Sequence, residues 1–521
     1  MKLIYLFFLA TFIIVSCGQP KIKFKTTTSQ KVIPVLIGKE NNVVLQIRIN
    51  IEEDKESVLQ CLKLSTQGTT SWQDIETTSV YYTGQSDVFQ DYVLFASRQP
   101  GAVQYKFIAE QTLKPGNNYF WVSVKLKPEA NILHKIGFLC TEVNVNGVSV
   151  VPDGSESAPS RIGYSLRDKG DDGSVAYRIP GLITTSKGTL VAVYDIRWVS
   201  GRDLQSDIDI GVSRSLDKGQ TWLPMQKAVD MGEWGGLPQD QNGIGDPCIL
   251  MDEQTGRLWI AAIWVHGGQR GIDATSISGP GMTPVETCQL MLVYSDDDGV
   301  TWSDPVNITS QVKKPEWYYI FQCPGIGITM KDGTLVFPVQ FRDKEKMYYS
   351  TIIFSKDRGQ TWQVGTGARS NITESQVVEI EPGILMLNMR DERAVSRAVS
   401  ITRDLGKTWE EHPSSGLTLR EPVCMASLIK VDASRNYTGK DILLFSNPDT
   451  DVYDVRSHIT IKTSFDGGLT WPEENQILLD EYSGVGYSCL TMIDSETVGI
   501  LYEGSRAHLC FQAVPLNELV K

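Results

Sequence analysis

The stretch Ser295-Asp-Asp-Asp-Gly-Val-Thr-Trp302 decides the fold, because near-copies of it recur along the chain. Each copy follows an apolar or alternating run, which predicts a strand that enters a tight turn. In this turn the Asp can bind backbone amides, the Gly supplies a positive φ and the Trp packs on apolar neighbours. Five copies of one turn predict a repeat architecture. The other four, which share the pattern Ser/Thr-x-Asp-x-Gly-x-Thr-Trp, are Ser215–Trp222, Ser355–Trp362, Thr402–Trp409 and Ser464–Trp471.

Two further repeats alternate with these turns in residues 161–521. The first is an apolar strand entered through a polar residue, as at Arg178 and Glu374. The second is a short turn followed by another apolar strand, as at Gly188 and Gly333. Each of them occurs six times. Six units of four short antiparallel strands predict a six-bladed β-propeller.

Residues 25–152 contain no copy of the turn and show strand alternation instead, which predicts a separate small β-sandwich. Residues 153–160 form a polar stretch that reads as a linker. The chain is therefore expected to be all-β, with a sandwich before the propeller. Trp72, Tyr81 and Tyr82 favour a carbohydrate-binding role for the sandwich, and a spacer or packing role is the alternative.

Residues 1–16 predict a secretory leader, because a basic start precedes a short apolar run. Ile14-Val-Ser-Cys17 resembles a bacterial lipoprotein cleavage box, which would make Cys17 the lipidated first residue of the mature chain. An ordinary signal peptide cut nearby is the alternative. We expect an exported bacterial protein in the periplasm or at the cell surface that reaches the membrane only through this anchor.

The composition excludes several classes of partner and site. The chain has 521 residues, 41% of them hydrophobic, and a net charge of −13. This length leaves room for two or more domains, and the negative charge argues against nucleic acid as a partner. The eight cysteines after Cys17 form no CxxC pair and the five histidines are scattered, so no metal site is expected. Most of these cysteines read as core residues, with one or two disulfides left open.

The direction of the strands predicts which face of the propeller carries the candidate site residues. Antiparallel neighbours reverse direction, so the starts of first strands and the ends of second strands share one face, and the five repeated turns lie on the other. We therefore interpret the turns as structural. The shared face is charged and differs from unit to unit, which is typical of a site, and its several arginines predict binding of a carboxylate or phosphate. Its residues are Arg178, Arg197, Asp203, Asp207, Asp246, Trp264, Gln322, Glu374, Arg390, Arg420, Arg456, Tyr487 and Glu503.

Tyr177-Arg-Ile-Pro180 looks like the (F/Y)-R-I-P motif of sialidases, and the five turns look like their Asp boxes. Over roughly residues 160–521 the chain resembles a bacterial exo-α-sialidase, or neuraminidase. The resemblance implies a glycoside hydrolase that releases terminal sialic acid from glycoproteins, glycolipids or oligosaccharides. It implies no metal or organic cofactor, and sialylated glycans as partners. We expect a monomer.

The resemblance carries roles onto matching residues. An arginine triad of Arg178, Arg390 and Arg456 would grip the carboxylate of sialic acid, with Arg456 in a loop that offers no landmark. Tyr487 would be the nucleophile and Glu374 its base, and Tyr482 is the rival nucleophile.

The acid/base would be Asp203, with Asp207 and Asp209 as competitors. Arg197 and Asp246 would touch the sugar's ring substituents near the 4-hydroxyl and N-acetyl groups. Gln322 and Trp264 are expected to line the pocket.

The chemistry of the substrate explains these residue types. The anomeric carbon of sialic acid bears a carboxylate, which repels a carboxylate nucleophile but not a neutral phenol. A phenol needs a base near neutral pH, and an Asp can protonate the leaving oxygen and later activate water, which gives a retaining reaction. A sialic-acid lectin, a trans-sialidase and an enzyme of intramolecular release remain alternatives, and the sequence does not resolve the linkage preference.

Overall fold

The computed structural model describes residues 23–521 apart from 54–55, 100–102, 155–157, 205, 267–276 and 394–395. The predicted leader 1–16, Cys17 and part of the linker 153–160 lie outside the described residues. Within the described part of the chain, no helix is long and apolar enough to cross a membrane.

The N-terminal part consists of strands that pair in two sheets. One sheet has the order β12-β1-β3-β8-β5-β6 and the other β11-β10-β4-β7. The strands are β1 Phe24–Ser29, β2 Val35–Ile37, β3 Asn42–Ile51, β4 Ser57–Ser65, β5 Ile75–Tyr82, β6 Leu94–Arg98, β7 Gln104–Leu113, β8 Gly116–Leu126, β9 Lys135–Ile136, β10 Leu139–Val145, β11 Val148–Val150 and β12 Asp153–Gly154.

Side-chain alternation builds the core of this sandwich. Ile47 and Ile49 on β3 are fully buried, whereas Arg48 between them is exposed. Phe107 on β7 of the second sheet is also fully buried and joins the same apolar cluster. The outer face of the first sheet is thus free to carry polar and aromatic side chains.

The rest of the described chain is also built of short strands, together with the short α-helix Thr309–Val312 and brief 3₁₀ turns. The strands are β13 Ser160–Arg167, β14 Ala176–Thr184, β15 Leu190–Arg197, β16 Ile208–Ser215, β17 Gln226–Val229, β18 Asn242–Met251, β19 Leu258–His266, β20 Gln289–Ser295, β21 Val306–Asn307, β22 Tyr319–Gln322, β23 Gly325–Ile326, β24 Ile328–Thr329, β25 Leu335–Arg342, β26 Tyr348–Ser355, β27 Gln363–Val364, β28 Arg369–Ser370, β29 Ile372–Glu381, β30 Ile384–Asp391, β31 Ala398–Thr402, β32 Glu410–Glu411, β33 Ser427–Val431, β34 Ile442–Pro448, β35 Ile459–Ser464, β36 Gln476–Asp480, β37 Ser488–Met492, β38 Thr497–Tyr502 and β39 Leu509–Pro515. The 3₁₀ turns are Trp72–Asp74, Asp171–Gly173, Gln239–Gln241, Ala433–Arg435, Glu473–Asn475 and Leu516–Glu518.

Neighbouring strands pair antiparallel in chain order, so the all-β prediction is confirmed. Two sheets have four strands each, in the orders β29-β30-β31-β32 and β33-β34-β35-β36. Another sheet has nine strands, β14 to β21 and β23, because a parallel bridge between Ile208 and Gly243 joins β16 to β18. The count of six blades therefore stays a prediction.

The repeated turn is held by its own side chains. Ser295 ends β20, its hydroxyl donates to Asp297 at 2.8 Å, and the Gly299 amide donates to that hydroxyl at 2.9 Å. The Thr301 amide and hydroxyl both donate to the Asp297 carboxylate. The backbone of Asp298 and Gly299 has φ of 66° and 79°, a left-handed region that costs least at glycine. The Asp297 carboxylate thus accepts its hydrogen bonds from residues of the same turn.

The sandwich and the propeller-like part are joined by strand pairing as well as by the linker. β13 pairs antiparallel with the C-terminal strand β39, which ties the two ends of this part together. β2 pairs parallel with β13, with Val35 opposite Ile162. Both of these side chains are fully buried, and one continuous apolar cluster includes residues from both parts.

Candidate active site

Two strands that contribute residues to the site, β14 and β18, each contain a bulge. The ladder between β14 and β15 shifts register after Arg178, and that between β18 and β19 shifts after Gly245. At these shifts Ile179 and Asp246 have φ of 62° and 56°, which is strained for side chains other than glycine. Bulges re-aim side chains, and both of these lie where the polar residues enter the strands.

The Tyr487 phenol and the Glu374 carboxylate form the centre of the site. The Tyr487 hydroxyl donates to Glu374 Oε1 at 2.5 Å. Arg390 donates from one nitrogen to Glu374 Oε2 at 2.8 Å and to the Tyr487 oxygen at 3.3 Å. Glu374 and Arg390 lie on the paired strands β29 and β30. The fold brings Tyr487, which is 97 residues beyond Arg390, into direct contact with both.

Two more arginines surround the same phenol. The guanidinium carbons of Arg178 and Arg456 lie 5.4 and 5.8 Å from the centre of the Tyr487 ring. Arg178, Arg390 and Arg456 therefore gather around Tyr487, as the sequence predicted. Three guanidiniums at one point form a strong site for a carboxylate.

The surroundings of Tyr487 keep its phenol protonated. Burial, followed by the neighbouring Glu374 carboxylate, raises the pKa of Tyr487 well above its usual value, and Arg390 and Arg456 act in the opposite direction. A phenol with a raised pKa is a nucleophile only if a base takes its proton. Glu374 already accepts that proton in a hydrogen bond.

Glu503 binds Arg178 of the arginine cluster. The sequence analysis placed Glu503 on the charged face but assigned it no role. Arg178 donates to Glu503 Oε1 at 2.5 Å, and the Ile179 amide donates to the same oxygen at 2.8 Å. The Tyr487 amide donates to the other oxygen at 3.0 Å. This buried carboxylate thus fixes both the triad's first arginine and the phenol's backbone. The signal in the sequence that could have indicated this role of Glu503 is a charged residue directly after the apolar strand β38.

Asp203 lines the same cavity as Glu374 and lies on the loop after β15. Arg197 and Arg178 approach its Oδ1 at 2.7 and 3.8 Å. Its side chain is 63% exposed, so it can reach a bound sugar. Burial alone would raise the pKa of Asp203, but the Arg197 and Arg178 charges outweigh it, and the pKa lies below its ordinary value.

Arg197 is fully buried behind Asp203. It also bonds Asp195 at 2.8 Å and the Gly201 carbonyl at 2.8 Å. Asp195 in turn accepts the Asp246 amide at 2.8 Å. Arg197 therefore meets the cavity through Asp203, and Asp195 is a supporting residue that the sequence did not single out.

Asp246 lines the cavity as a half-buried acid. Burial, followed by the nearby Asp195 and Asp203 carboxylates, raises the pKa of Asp246 well above its usual value. A carboxyl group that keeps its proton can donate a hydrogen bond to a sugar hydroxyl or carbonyl.

The expectation that Gln322 and Trp264 line the pocket is corrected by the structure. The Gln322 amide is fully buried and donates to the backbone carbonyl of Asp246, so it supports the bulge. Because side chains alternate on β22, its neighbour Phe321 faces the cavity instead. Trp264 is buried against Trp234 and donates to Asn242 at 2.8 Å.

One wall of the cavity is apolar, which the sequence did not predict because these residues read as core. The cavity has a volume of about 380 Å³. The charged residues Asp203, Asp246, Glu374, Arg390 and Glu392 line it together with a group of apolar side chains. The apolar wall consists of Leu204, Ile263, Val265, Cys288, Tyr319 and Phe321.

The rival candidates lie elsewhere. Tyr482 is 46% exposed and is not among the residues that line the cavity. Asp209 is buried in β16, where Trp198 donates to it at 2.8 Å and Lys227 pairs with it at 2.7 Å. Asp207 also stands outside the lining.

The sequence predicted no metal site and left one or two disulfides open. Within the described ranges no group of three or more His, Cys, Asp and Glu side chains is placed to hold a metal ion. The eight cysteines from Cys61 to Cys510 are buried free thiols.

Two family comparisons place the chain. Residues 179–472 match the family described as "BNR repeat-like domain", and residues 22–149 match "N-terminal domain of BNR-repeat neuraminidase". The chain belongs to the BNR-repeat neuraminidase family. The second match covers nearly all of the sandwich, and the first covers much of the strand-rich part that contains the cavity.

Several relatives of this neuraminidase-family chain are named sialidases. It is 45% identical to a sialidase of Bacteroides fragilis (strain YCH46) over 100% of both chains. It is 31% identical to a sialidase of Paraclostridium sordellii, over 70% of this chain and 90% of the relative. Among solved structures it is similar to Hadza microbial sialidase Hz136, with 48% identity and a TM-score of 0.90 over 95% of this chain and 100% of that one. These relatives support exo-α-sialidase activity, and so a glycoside hydrolase.

Proposed function

We propose that the chain hydrolyses terminal α-linked sialic acid by a retaining mechanism in which Tyr487 is the nucleophile. The observation that carries this proposal is the 2.5 Å hydrogen bond from the Tyr487 hydroxyl to Glu374, within a ring of three arginines. The substrates are sialylated glycoproteins, glycolipids or oligosaccharides.

The arginines Arg178, Arg390 and Arg456 bind the substrate carboxylate and hold the anomeric carbon over the phenol. A neutral phenol approaches this anionic centre without the repulsion that a carboxylate would meet. The Tyr487 oxygen bonds to the anomeric carbon while its proton passes to Glu374. Sialidases with a Tyr nucleophile are the known exception to the rule of paired carboxylates.

Asp203 acts on the other side of the bond. It gives a proton to the leaving oxygen and then takes one from the water that cleaves the tyrosyl intermediate, so the anomeric configuration is retained. Its pKa is low in the empty site because of Arg197 and Arg178. The substrate carboxylate neutralises part of that charge at Arg178, which raises the pKa of Asp203 in the complex and favours its acid form.

The polar residues of the cavity suit the polar substituents of the sugar, and its apolar wall suits an apolar group. Asp246 donates its backbone amide to Asp195 and accepts the Gln322 amide at its backbone carbonyl. Its side chain is placed to bond a ring hydroxyl or the N-acetyl carbonyl. The apolar wall with Phe321 is suited to the methyl of the N-acetyl group.

The proposal predicts that Tyr487→Phe lowers turnover of a fluorogenic sialoside by about 10²–10⁴-fold, because the variant lacks the nucleophilic oxygen. Binding of an unsaturated sialic acid analogue, measured by calorimetry, should persist because the three arginines remain. Tyr482→Phe is the matched control and should keep wild-type turnover. Equal turnover of Tyr487→Phe and wild type would place the nucleophile elsewhere.

We also infer that the protein is exported and anchored by lipid at Cys17, from the box Ile14-Val-Ser-Cys17. In a bacterial host the full chain should enter the membrane fraction, and Cys17→Ser should move at least about tenfold more of it to the soluble fraction. The Cys61→Ser variant is the control, since that cysteine is buried. An unchanged distribution of Cys17→Ser would contradict the anchor.

A further inference from the structure

The apolar wall of the active-site cavity continues outward along strand β25, which ends at Arg342. In one rung of this sheet Gln340 stands opposite Phe321, and both side chains line the cavity. In the next rung Arg342 stands between Tyr319 and Tyr348, and these two tyrosines also line the cavity. Because side chains two residues apart on a strand point to the same side, Arg342 extends this wall about 7 Å beyond Gln340.

Arg342 is held between two aromatic rings. Its guanidinium carbon lies 5.4 Å from the centre of the Tyr318 ring and 5.0 Å from that of Tyr348. Its Nε donates to the Lys346 carbonyl at 3.1 Å. A guanidinium that is stacked on aromatic faces loses little further freedom when it binds a ligand, so this cation is preorganised.

The strand end that carries Arg342 is anchored on the other side of the sheet. Its neighbour Phe341 stacks on Trp317 with 4.0 Å between ring centres and on Tyr349 with 5.2 Å. The Tyr318 amide donates to the Arg342 carbonyl at 2.8 Å. Packing on both sides of β25 therefore fixes the position of the guanidinium.

Arg342 has no carboxylate partner among the described residues, and its terminal nitrogens donate to none of them. The adjacent Asp343 carboxylate accepts the amides of Glu345 and Met347, both at 2.9 Å, within its own turn. Glu345 lies 3.6 Å from Lys344. A guanidinium without a carboxylate has its planar fork free for an anion.

A second cation lies beside the first. The Lys346 ammonium is 5.5 Å from the centre of the Tyr318 ring, which thus has two cations near it. We call Tyr318, Arg342, Lys346 and Tyr348 the cationic lip. The whole chain has a net charge of −13, so this local positive charge selects for anions at one part of the cavity mouth.

The size of the cavity directs the rest of a glycan to its mouth. A volume of about 380 Å³ is at the lower end for ligand pockets and suits one sugar. The sugars that follow the terminal sialic acid must therefore leave through the mouth, where the cationic lip lies.

We propose that the cationic lip binds an anionic group of the glycan beyond the sialic acid that is cleaved. The group is the carboxylate of a second sialic acid or a sulfate ester on a neighbouring sugar, since both fit the fork of an arginine. The proposal rests on the proposed function for the sugar in the cavity. It adds a preference for glycans that carry a second negative charge.

The test measures binding by calorimetry in the full chain carrying Tyr487→Phe. Disialyl-lactose, with two α2,8-linked sialic acids, is compared with sialyl-lactose, and sulfated sialyl-lactosamine with its unsulfated form. In at least one pair the more anionic glycan should bind about fivefold or more tightly, because it gains a charged hydrogen bond. Raising the salt from about 50 mM to about 0.5 M should reduce this preference.

Adding Arg342→Met should bring the preference to within about twofold, and Arg342→Lys should keep part of it. Arg403→Met is the matched control, because it removes an exposed positive charge outside the cavity lining and should keep the full preference. Near-UV circular dichroism verifies that each variant is folded. A preference in the disialyl pair assigns the lip to a carboxylate, and one in the sulfated pair assigns it to a sulfate.

The proposal is overturned if neither pair shows a preference, if the preference survives Arg342→Met, or if Arg403→Met removes it equally. Release of sialic acid from sialyl-lactose by the wild-type chain tests the proposed function separately. If the preference holds but no sialic acid is released, the cationic lip stands and the proposed function fails. Release without any preference has the opposite meaning.

Discussion

Asp203 and Asp207 stand four residues apart, and the fold gives them different roles. Asp203 faces the cavity and is paired with Arg197 at 2.7 Å. Asp207 stands outside the cavity lining, and one of its carboxylate oxygens is buried without a hydrogen bond to any described residue. Burial, and then the neighbouring Asp209 and Asp230 carboxylates, raise the pKa of Asp207 to about 6. In the proposed mechanism the first carboxylate is the acid/base, whereas the second costs stability when it is charged.

The Asp203→Asn variant should lose kcat by about 10²–10⁴-fold on a substrate with a poor leaving group, because the acid is removed. Asp207→Asn should keep wild-type kcat. Steady-state kinetics with a sialyl oligosaccharide measures both. If Asp207→Asn is the inactive variant, the acid/base assignment is reversed.

Asp207→Asn should also change stability in a pH-dependent way. The folded-state pKa of about 6 lies above the unfolded value of about 3.9, so the protonated carboxyl favours folding at low pH and this contribution is lost as pH rises through about 6. At pH 7 the variant should therefore be more stable than wild type by about 1–2 kcal/mol, and at pH 4 the two should be equal. Urea unfolding at both pH values measures this, and a difference of equal size at both would contradict it.

At the scale of the element, the repeated turn explains why five similar carboxylates take no part in catalysis. Each copy begins where a strand ends, at Ser215, Ser295, Ser355, Thr402 and Ser464. In each, the Asp accepts both the amide and the hydroxyl of the Thr, as with Asp297 and Thr301. The Trp then packs inward, as Trp471 does on Phe445 with 5.7 Å between ring centres. The turn fastens the end of a strand to the core.

Asp297→Ala should lower the free energy of unfolding by about 1–2 kcal/mol, because the Thr301 amide and hydroxyl and the Ser295 hydroxyl lose a charged partner that is partly exposed. Turnover of a fluorogenic sialoside at 25 °C should stay within about twofold of wild type. Chemical denaturation and steady-state kinetics give the two quantities. A stable variant with lost turnover would show that the turn serves chemistry after all.

At the scale of the whole molecule, the sandwich is part of the packing of the catalytic part. Strand β2 adds Val35 and Leu36, both fully buried, to the sheet that contains β13 and β39. Arg161 and Lys135 both bond Glu518, one from each side of the junction. The two parts predicted as separate domains thus share a sheet and a core.

Removing residues 1–157 should therefore prevent the remainder from folding to a soluble active form, because the edge of β13 and its apolar neighbours would be exposed. Soluble yield and gel filtration of residues 158–521 measure this, with residues 23–521 as the control. A soluble fragment with wild-type kcat would show that the shared sheet is dispensable.

Much of the site was predictable because it depends on local pattern. Turn residues and alternation gave the strands, and strand direction alone placed Arg178, Glu374 and Tyr487 on one face. Asp195 was not predictable, because its role as a support for Arg197 and the Asp246 amide exists only after β15 and β18 are adjacent. The prediction that Gln322 lines the pocket was wrong because successive side chains of a strand point to opposite sides, and on β22 it is Phe321 that faces the cavity.

The sequence by itself determined the repeated strands, their turns and the side chains on the charged face, since these follow from period and residue type over a few positions. Only the tertiary structure decided that Tyr487 donates to Glu374, that Glu503 binds Arg178, and that β2 of the sandwich pairs with β13. These contacts join residues up to hundreds of positions apart, and packing of the whole chain, which no local pattern encodes, brings them within hydrogen-bond distance.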